Sequence, residues 1–153
     1  MNRLVMSGLA ACGMLAAAAG AWALPNPSSP SSKEQAHAKF EEGYQHQQAK
    51  QYQEAIAAYE QSLSYDSNQA GALNNLGFCY KSLKRYQKAI RYYKDALRLD
   101  PNLPEAHEYL GETYVELRKL ELAEREYKVL LKLDPKEAEE LREKIDAARD
   151  ARP

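Results

Sequence analysis

Histidines, cysteines and a dense series of glutamates are the side chains here best suited to catalysis or metal binding. His37, His46 and His107 stand far apart, and none has a second histidine, a cysteine or a carboxylate at a recognised metal-ligand spacing. Cys12 lies in an apolar amino-terminal run and Cys79 stands alone beside Gly77, which reads as a small side chain in a helix contact. The sequence has no CxxCH for haem, no glycine loop that would cradle phosphate, and no GxSxG nucleophile turn. Glutamates recur among lysines and arginines at helical intervals, the pattern of a solvated helix face. No constellation for a reaction is present, so the sequence predicts a protein that is not an enzyme, without cofactor or metal.

The chemistry therefore has to come from a surface, and the elements that build it are legible as columns. Gly43, Gly77 and Gly111 share one spacing, as do Ala55, Ala89 and Ala123. Tyr59, Tyr93 and Tyr127 keep that period, with Leu63, Leu97 and Leu131, and with Asp66, Asp100 and Asp134. Several independent columns at one period identify a repeat array, each unit being one supersecondary element. In the second unit Leu73, Leu76, Tyr80 and Leu83 make one helical face, Lys84 and Arg85 a polar break, and Tyr86, Ile90, Tyr93 and Leu97 a second face. Asp100-Pro101 ends the pair, because the residue before a proline is driven out of the α region. Glycine inside a helix costs roughly 1 kcal/mol relative to alanine. Gly77 is then expected where two antiparallel helices approach too closely for a side chain.

Leu73, Leu76, Gly77, Tyr80, Ala89, Tyr93, Ala96 and Pro101 resemble the tetratricopeptide repeat (TPR) pattern. The third unit follows with Leu110, Gly111, Tyr114, Ala123, Tyr127 and Pro135, departing at His107 and Leu130. The first is weaker, with Glu42, His46 and Ser67 at positions where the family has leucine, tyrosine and proline. The resemblance implies an all-α, right-handed solenoid of three helix pairs, at 36–69, 70–103 and 104–137. Residues 138–153 read as a capping helix, with Ala138, Leu141, Ile145 and Ala148 as its apolar stripe. The alternative for that stretch is a partner-binding tail helix.

In this family the first helix of each unit lines a concave groove that holds partner segments. Its groove phases fall here on His37, Phe40, Glu41, Tyr44 and Gln48, on Asn74, Asn75, Phe78 and Lys81, and on Glu105, Glu108, Tyr109, Glu112 and Glu116. Phe40, Tyr44, Phe78 and Tyr109 are the expected anchors, since aromatics dominate interface energetics. The resemblance also implies a basic clamp for the terminal carboxylate of chaperone tails, at Phe40, Tyr44, Asn75, Glu105 and Tyr109. Only Asn75 conforms, and Glu105 carries the opposite charge. The expected partner is therefore a protein or peptide segment with apolar anchors and basic residues.

The chain has 153 residues and a formal net charge of -1, enough for one compact domain and without the bulk positive charge of a nucleic-acid binder. Lys81, Lys84, Arg85, Lys88, Arg91, Lys94 and Arg98 cluster in the second unit and read as an outer helix face, with Tyr86 and Tyr93 in core columns rather than interleaved with the charge. Met1-Asn2-Arg3, the apolar run Leu4 to Leu24 and the small residues Ala21-Trp22-Ala23 resemble a secretory signal over 1–23. The segment 24–35, with PNPSSPSS, is an expected disordered linker. These features predict export to a bacterial periplasm. Two alternatives remain open: the run is retained as a membrane anchor, or Leu9-Ala10-Ala11-Cys12 is a lipoprotein box and Cys12 is lipidated. The functional expectation is an adaptor or scaffold of the cell envelope, with a membrane-attached assembly factor or a self-stacking scaffold as alternatives.

Overall fold

The computed structural model describes residues 30–151, which form seven α-helices and no strand. They are α1 (Ser32–Gln48), α2 (Tyr52–Tyr65), α3 (Ala70–Ser82), α4 (Tyr86–Leu99), α5 (Pro104–Glu116), α6 (Leu120–Leu133) and α7 (Pro135–Asp150). The expected signal, the anchor and Cys12 lipidation lie outside the described residues. None of the described helices is long and apolar enough to cross a membrane. The expected linker ends earlier than residue 35. Ser31 caps α1 by accepting from the Glu34 amide at 3.3 Å, while the Glu34 carboxylate accepts from the Ser31 amide at 2.6 Å. This reciprocal capping box satisfies two amides that a helix start leaves without partners, so the helix reaches back to Ser32.

Each helix pair turns in the same way. Lys50, Lys84 and Arg118 take left-handed backbone, with φ of 58°, 57° and 58°. Their amides donate to Gln47, Lys81 and Val115 carbonyls, and the next amides, of Gln51, Arg85 and Lys119, donate to His46, Tyr80 and Tyr114 carbonyls. That is the Schellman closure of a helix carboxyl end, here built without glycine. Between pairs, Asp66, Asp100 and Asp134 accept from the amides two residues on, each at 3.0 Å, which explains the aspartate column as a series of turns that launch the next unit.

The glycine column closes the first two pairs. A Cβ on Gly43 would lie 2.7 Å from Cδ1 of Tyr59, and one on Gly77 would lie 2.5 Å from Cε1 of Tyr93. Both tyrosines are fully buried. The third unit differs. Gly111 meets Cδ2 of Leu141, from α7, at 2.5 Å. Tyr127, in the same column as Tyr59 and Tyr93, is only half-buried, with the Arg142 guanidinium carbon 4.4 Å from its ring centroid. Leu131 is exposed, whereas Leu63 and Leu97 pack on the core. The last helix thus supplies the large side chain that fills the third slot. Leu141, Ile145 and Ala138 are fully buried against α5 and α6, so α7 covers the end of the array.

The odd-numbered helices form one row: α1 touches α3, α3 touches α5, and α5 touches α7. The even-numbered helices do not touch one another. A stack crowded on one side and splayed on the other curves toward the crowded side, so α1, α3, α5 and α7 line a concave face.

Replacing Gly77 by leucine should lower stability by about 1–3 kcal/mol or more through overpacking against Tyr93. Lys84→Gly should raise it by about 0.5–1 kcal/mol, because the left-handed backbone there penalises a side chain. Leu141→Ala should cost about 2–5 kcal/mol by emptying the slot over Gly111. Thermal and denaturant unfolding of the three variants measures all three signs; an unchanged midpoint for Leu141→Ala would mean that α7 does not hold the array closed.

Candidate functional site

The concave face is set by which residues α1, α3 and α5 turn away from the paired even helices. Tyr44 is the most open of its aromatics, 44% exposed. Phe40, Phe78 and Tyr109 are half-buried and part of an aromatic row. The Phe78 ring lies 5.5 Å from that of Tyr109 and 6.3 Å from that of Tyr52, centroid to centroid. Tyr109 stands 6.1 Å from Tyr93, and Phe40 stands 5.5 Å from Tyr59. Tilted and edge contacts of this kind suit aromatic quadrupoles, and they hold the rings in place before any partner arrives. Tyr52, at the start of α2, was not expected here; its phase in the repeat belongs to the second helix, and only the fold brings it to the edge of Phe78.

Below the aromatics lies a polar network. Asn75 donates to the Tyr59 hydroxyl at 3.1 Å, and that hydroxyl donates to Gln47 Oε1 at 2.9 Å. The Cys79 thiol reaches the same oxygen at 3.8 Å. Burial pushes the Cys79 thiol up to about 12, so it stays protonated and serves as packing. Asn75 remains half-buried on the groove floor.

Three expected groove residues need correction. Asn74 is buried, 6% exposed, and offers a partner no surface. Its helical phase, carried over from a groove-facing position, is covered by packing in this chain. Lys81 and Glu112 are not free charges. Lys81 Nζ donates to Glu112 Oε2, and Lys144 Nζ from α7 donates to Glu112 Oε1. Burial would raise the Glu112 carboxyl, but these two ammonium groups outweigh it and hold the group below the usual carboxylate range. Glu112 is therefore a tie among α3, α5 and α7.

The remaining acids keep their surface. Glu105, Glu41 and Glu116 are exposed, as are His37 and Gln48. Glu108 is half-buried and has company from α7: carboxylate oxygens of Glu108, Glu137 and Glu140 lie within 4.8 Å of one another. Burial first, then the Glu112 and Glu137 carboxylates, push the Glu108 carboxyl up to about 7. The contact of α7 with α5 carries Glu137 and Glu140 to the groove's end. His107, which departs from the repeat pattern, is buried. Its Nδ1 faces Glu126 Oε2 at 2.8 Å and its Nε2 faces the Pro101 carbonyl oxygen at 3.1 Å. Burial would lower it, but two acceptors are both satisfied only by the imidazolium, and they hold it above its usual value.

Helices stacked as pairs, closing on glycines and presenting aromatics on a concave side, define a helical repeat protein built for interaction. Tetratricopeptide repeat models match residues 36–69, 70–103 and 92–125, and the chain belongs to that family. The third match starts inside α4 and stops short of Tyr127 and Leu130, the part of α6 that α7 packs. No curated protein matches the sequence. Among solved structures, an Arabidopsis OM64 TPR domain superposes with a TM-score of 0.72 at 19% identity, covering 76% of this chain and 98% of that one. The first TPR of Spaghetti (RPAP3), bound to the HSP90 peptide SRMEEVD, gives 0.70 at 28% identity, covering 75% and 94%. The second TPR domain of human RPAP3, in complex with the HSP70 peptide SGPTIEEVD, gives 0.70 at 25% identity, covering 75% and 98%.

The acidic end of the groove carries a pH signature. The folded Glu108 carboxyl keeps its proton to about 7, against an ordinary 4.5. Between these values the folded state binds a proton that the unfolded chain has released, so stability falls as pH rises through that window. His107 works in the same sense: its contribution is full below 6.5 and fades as pH passes its raised folded value. Glu108→Gln should flatten the part of the decline that begins near the ordinary carboxylate range and raise stability at neutral pH. Unfolding midpoints measured at steps across this range test it; a slope identical to that of the parent would mean that Glu108 titrates normally.

Proposed function

We infer that the chain is a non-catalytic protein–protein interaction module whose concave groove grips a partner segment bearing apolar anchors and a basic residue. The observation that carries this is the pre-packed aromatic row Phe78–Tyr109, with Tyr44 open beside it and the Glu105, Glu108, Glu137 and Glu140 carboxylates at its far end. Aromatic side chains held in place bind at low entropic cost, and charges around them steer and select. The RPAP3 neighbours hold acidic peptides. Here the positions of that basic clamp are occupied by Phe40, Tyr44, Glu105 and Tyr109, with only Asn75 retained. A terminal carboxylate would meet like charge, so the partner's charge is reversed. The amino-terminal 1–23 segment supports placing this module in the bacterial envelope, as an exported adaptor or scaffold.

Affinity capture from native envelope extract, followed by titration of the recovered segment, tests the reading. Tyr44→Ala is the cleanest variant because Tyr44 is exposed and its loss leaves the core intact. It should weaken binding by on the order of 2 kcal/mol with little salt dependence. Glu105→Gln with Glu108→Gln should slow association and flatten its response to salt. Glu112 must be left in place, since it is paired. If Tyr44→Ala and the double glutamine variant both bind like the parent, the groove is not the site.

A further inference from the structure

The convex side carries a feature that the groove does not use. Lys84, Arg85, Lys88, Arg91, Lys94 and Arg98 are all exposed along α4 and the turn before it. Among the described residues only Arg98 of these has a carboxylate partner, Asp95 at 2.5 Å. The α4 helix is 14 residues long, so the stripe extends about 21 Å at 1.5 Å per residue. It is not a featureless solvated face. Tyr92 is half-buried on its flank and stacks on Tyr80, with centroids 5.3 Å apart and planes 5° from parallel. Lys88 Nζ stands 5.1 Å from the Tyr80 centroid. Two depressions adjoin Lys88. One, of about 190 Å³, is lined by Lys88, Arg91, Tyr92 and Asp95. The other, of about 320 Å³, has Tyr86 and Leu117 among Lys84, Arg85, Gln87 and Lys88. Although Tyr86 falls in a core column of the repeat, the fold puts it and Tyr92 among the basic residues.

We propose that this face is a second interaction surface, for an acidic polypeptide segment carrying an apolar side chain. The unpaired cations supply the charge complementarity, and the Tyr86–Leu117 depression takes the apolar anchor between flanking carboxylates. The Tyr86–Leu117 depression is sized for one side chain and argues for a polypeptide segment rather than a long polyanion. On the α2 side the stripe ends against acids, Glu54, Glu60 and Asp66, while on the α6 side Arg125, Lys128 and Lys132 accompany Glu121, Glu124 and Glu126. A nucleic-acid strand or an anionic bilayer extending past α4 toward α2 meets like charge, whereas a segment confined to one helix does not. With a basic partner in the groove and an acidic one on α4, the chain joins two proteins of opposite charge across its thickness.

The probe is a short synthetic peptide of glutamates around one phenylalanine, titrated against the full chain by fluorescence anisotropy. It should bind with an affinity that falls steeply with salt. The same peptide with phenylalanine replaced by serine should bind more weakly, because the depression is left empty. Lys88→Glu combined with Arg91→Glu should weaken binding at least about tenfold, since like charges across a contact are strongly unfavourable. Both residues are exposed, and circular dichroism checks that the helices persist. Tyr44→Ala, in the groove, should leave this binding unchanged, so failure here is separate from failure of the groove reading. The proposal is overturned if charge reversal leaves peptide binding intact. It is equally overturned if a single-stranded oligonucleotide or vesicles of anionic phospholipid bind more tightly than the peptide through the same residues, or if the probe binds only to the groove. Salt-sensitive self-association that the double reversal abolishes, with no peptide binding, would assign the face to a second copy of this chain instead.

Discussion

The first two helix pairs close on the contact between a glycine and a tyrosine of the paired helix, and in the third unit the glycine takes a leucine from α7. A methyl group on Gly77 would sit 2.5 Å from the Tyr93 ring, so the separation of α3 and α4 is set by the absence of a side chain on one and the flatness of the other. Gly43 with Tyr59 repeats the arrangement. These contacts also position the site. Tyr59 carries the hydroxyl that Asn75 and Gln47 share, and Tyr93 is the ring on which Tyr109 leans. The groove's aromatics are thus the second layer of a stack whose first layer is the pair closure. The local cost of a helical glycine is offset by packing that reaches the concave face.

An array built this way has an end problem, because each unit presents apolar side chains to a successor. At the carboxyl end the solution is a helix that enters the repeat's own slot: Leu141 lies over Gly111 where the earlier pairs use a tyrosine of the same unit. The consequence is visible in the third unit's columns. Tyr127 moves under Arg142 and Leu131 faces solvent, while Leu130, in the column of buried Ser62 and Ala96, is fully buried. Covering the end and shaping the groove are then one act. The same helix brings Glu137 and Glu140 to Glu108 and Lys144 to Glu112.

The fold was readable in the sequence because its determinants recur. A period repeated in glycine, alanine, tyrosine and aspartate columns leaves few alternatives to paired helices, and Gly77 pointed to the close approach found. Devices that do not announce themselves by residue type were missed. Lys50, Lys84 and Arg118 occupy left-handed turn positions where glycine would have been the readable signal. The Ser31–Glu34 capping box was hidden in a stretch whose proline and serine content looked like linker. Groove residues were less legible than the fold, for a physical reason. Transferring phases assumes that every unit meets the same neighbours. Asn74 is buried by packing that its phase did not reveal, and Glu112 is paired by a lysine from a helix outside the repeat. Tyr44 and Glu105 kept the exposure expected of them because nothing in the neighbouring helices reaches them.

The paired Glu112 explains how a groove of this kind can hold its shape. Its carboxylate joins Lys81 of α3 to Lys144 of α7 across α5, so three of the four helices that line the concave face share one ionic tie. The carboxylate and the Lys81 ammonium are both well covered, with side chains 16% and 15% exposed. A covered carboxylate is costly to leave alone, so any motion that opened the row would have to separate both lysines from it or expose it to water. The stacked rings oppose the same motion from the apolar side, since Phe78 of α3 and Tyr109 of α5 are in contact. Curvature is thereby held by one polar and one aromatic bridge between the same pair of helices. A partner entering such a groove has little ordering to impose, and the interaction energy of its anchors goes into affinity rather than into assembling the site. Glu105 and the Glu108 cluster are left without a lysine of their own, because Glu112 has taken both Lys81 and Lys144.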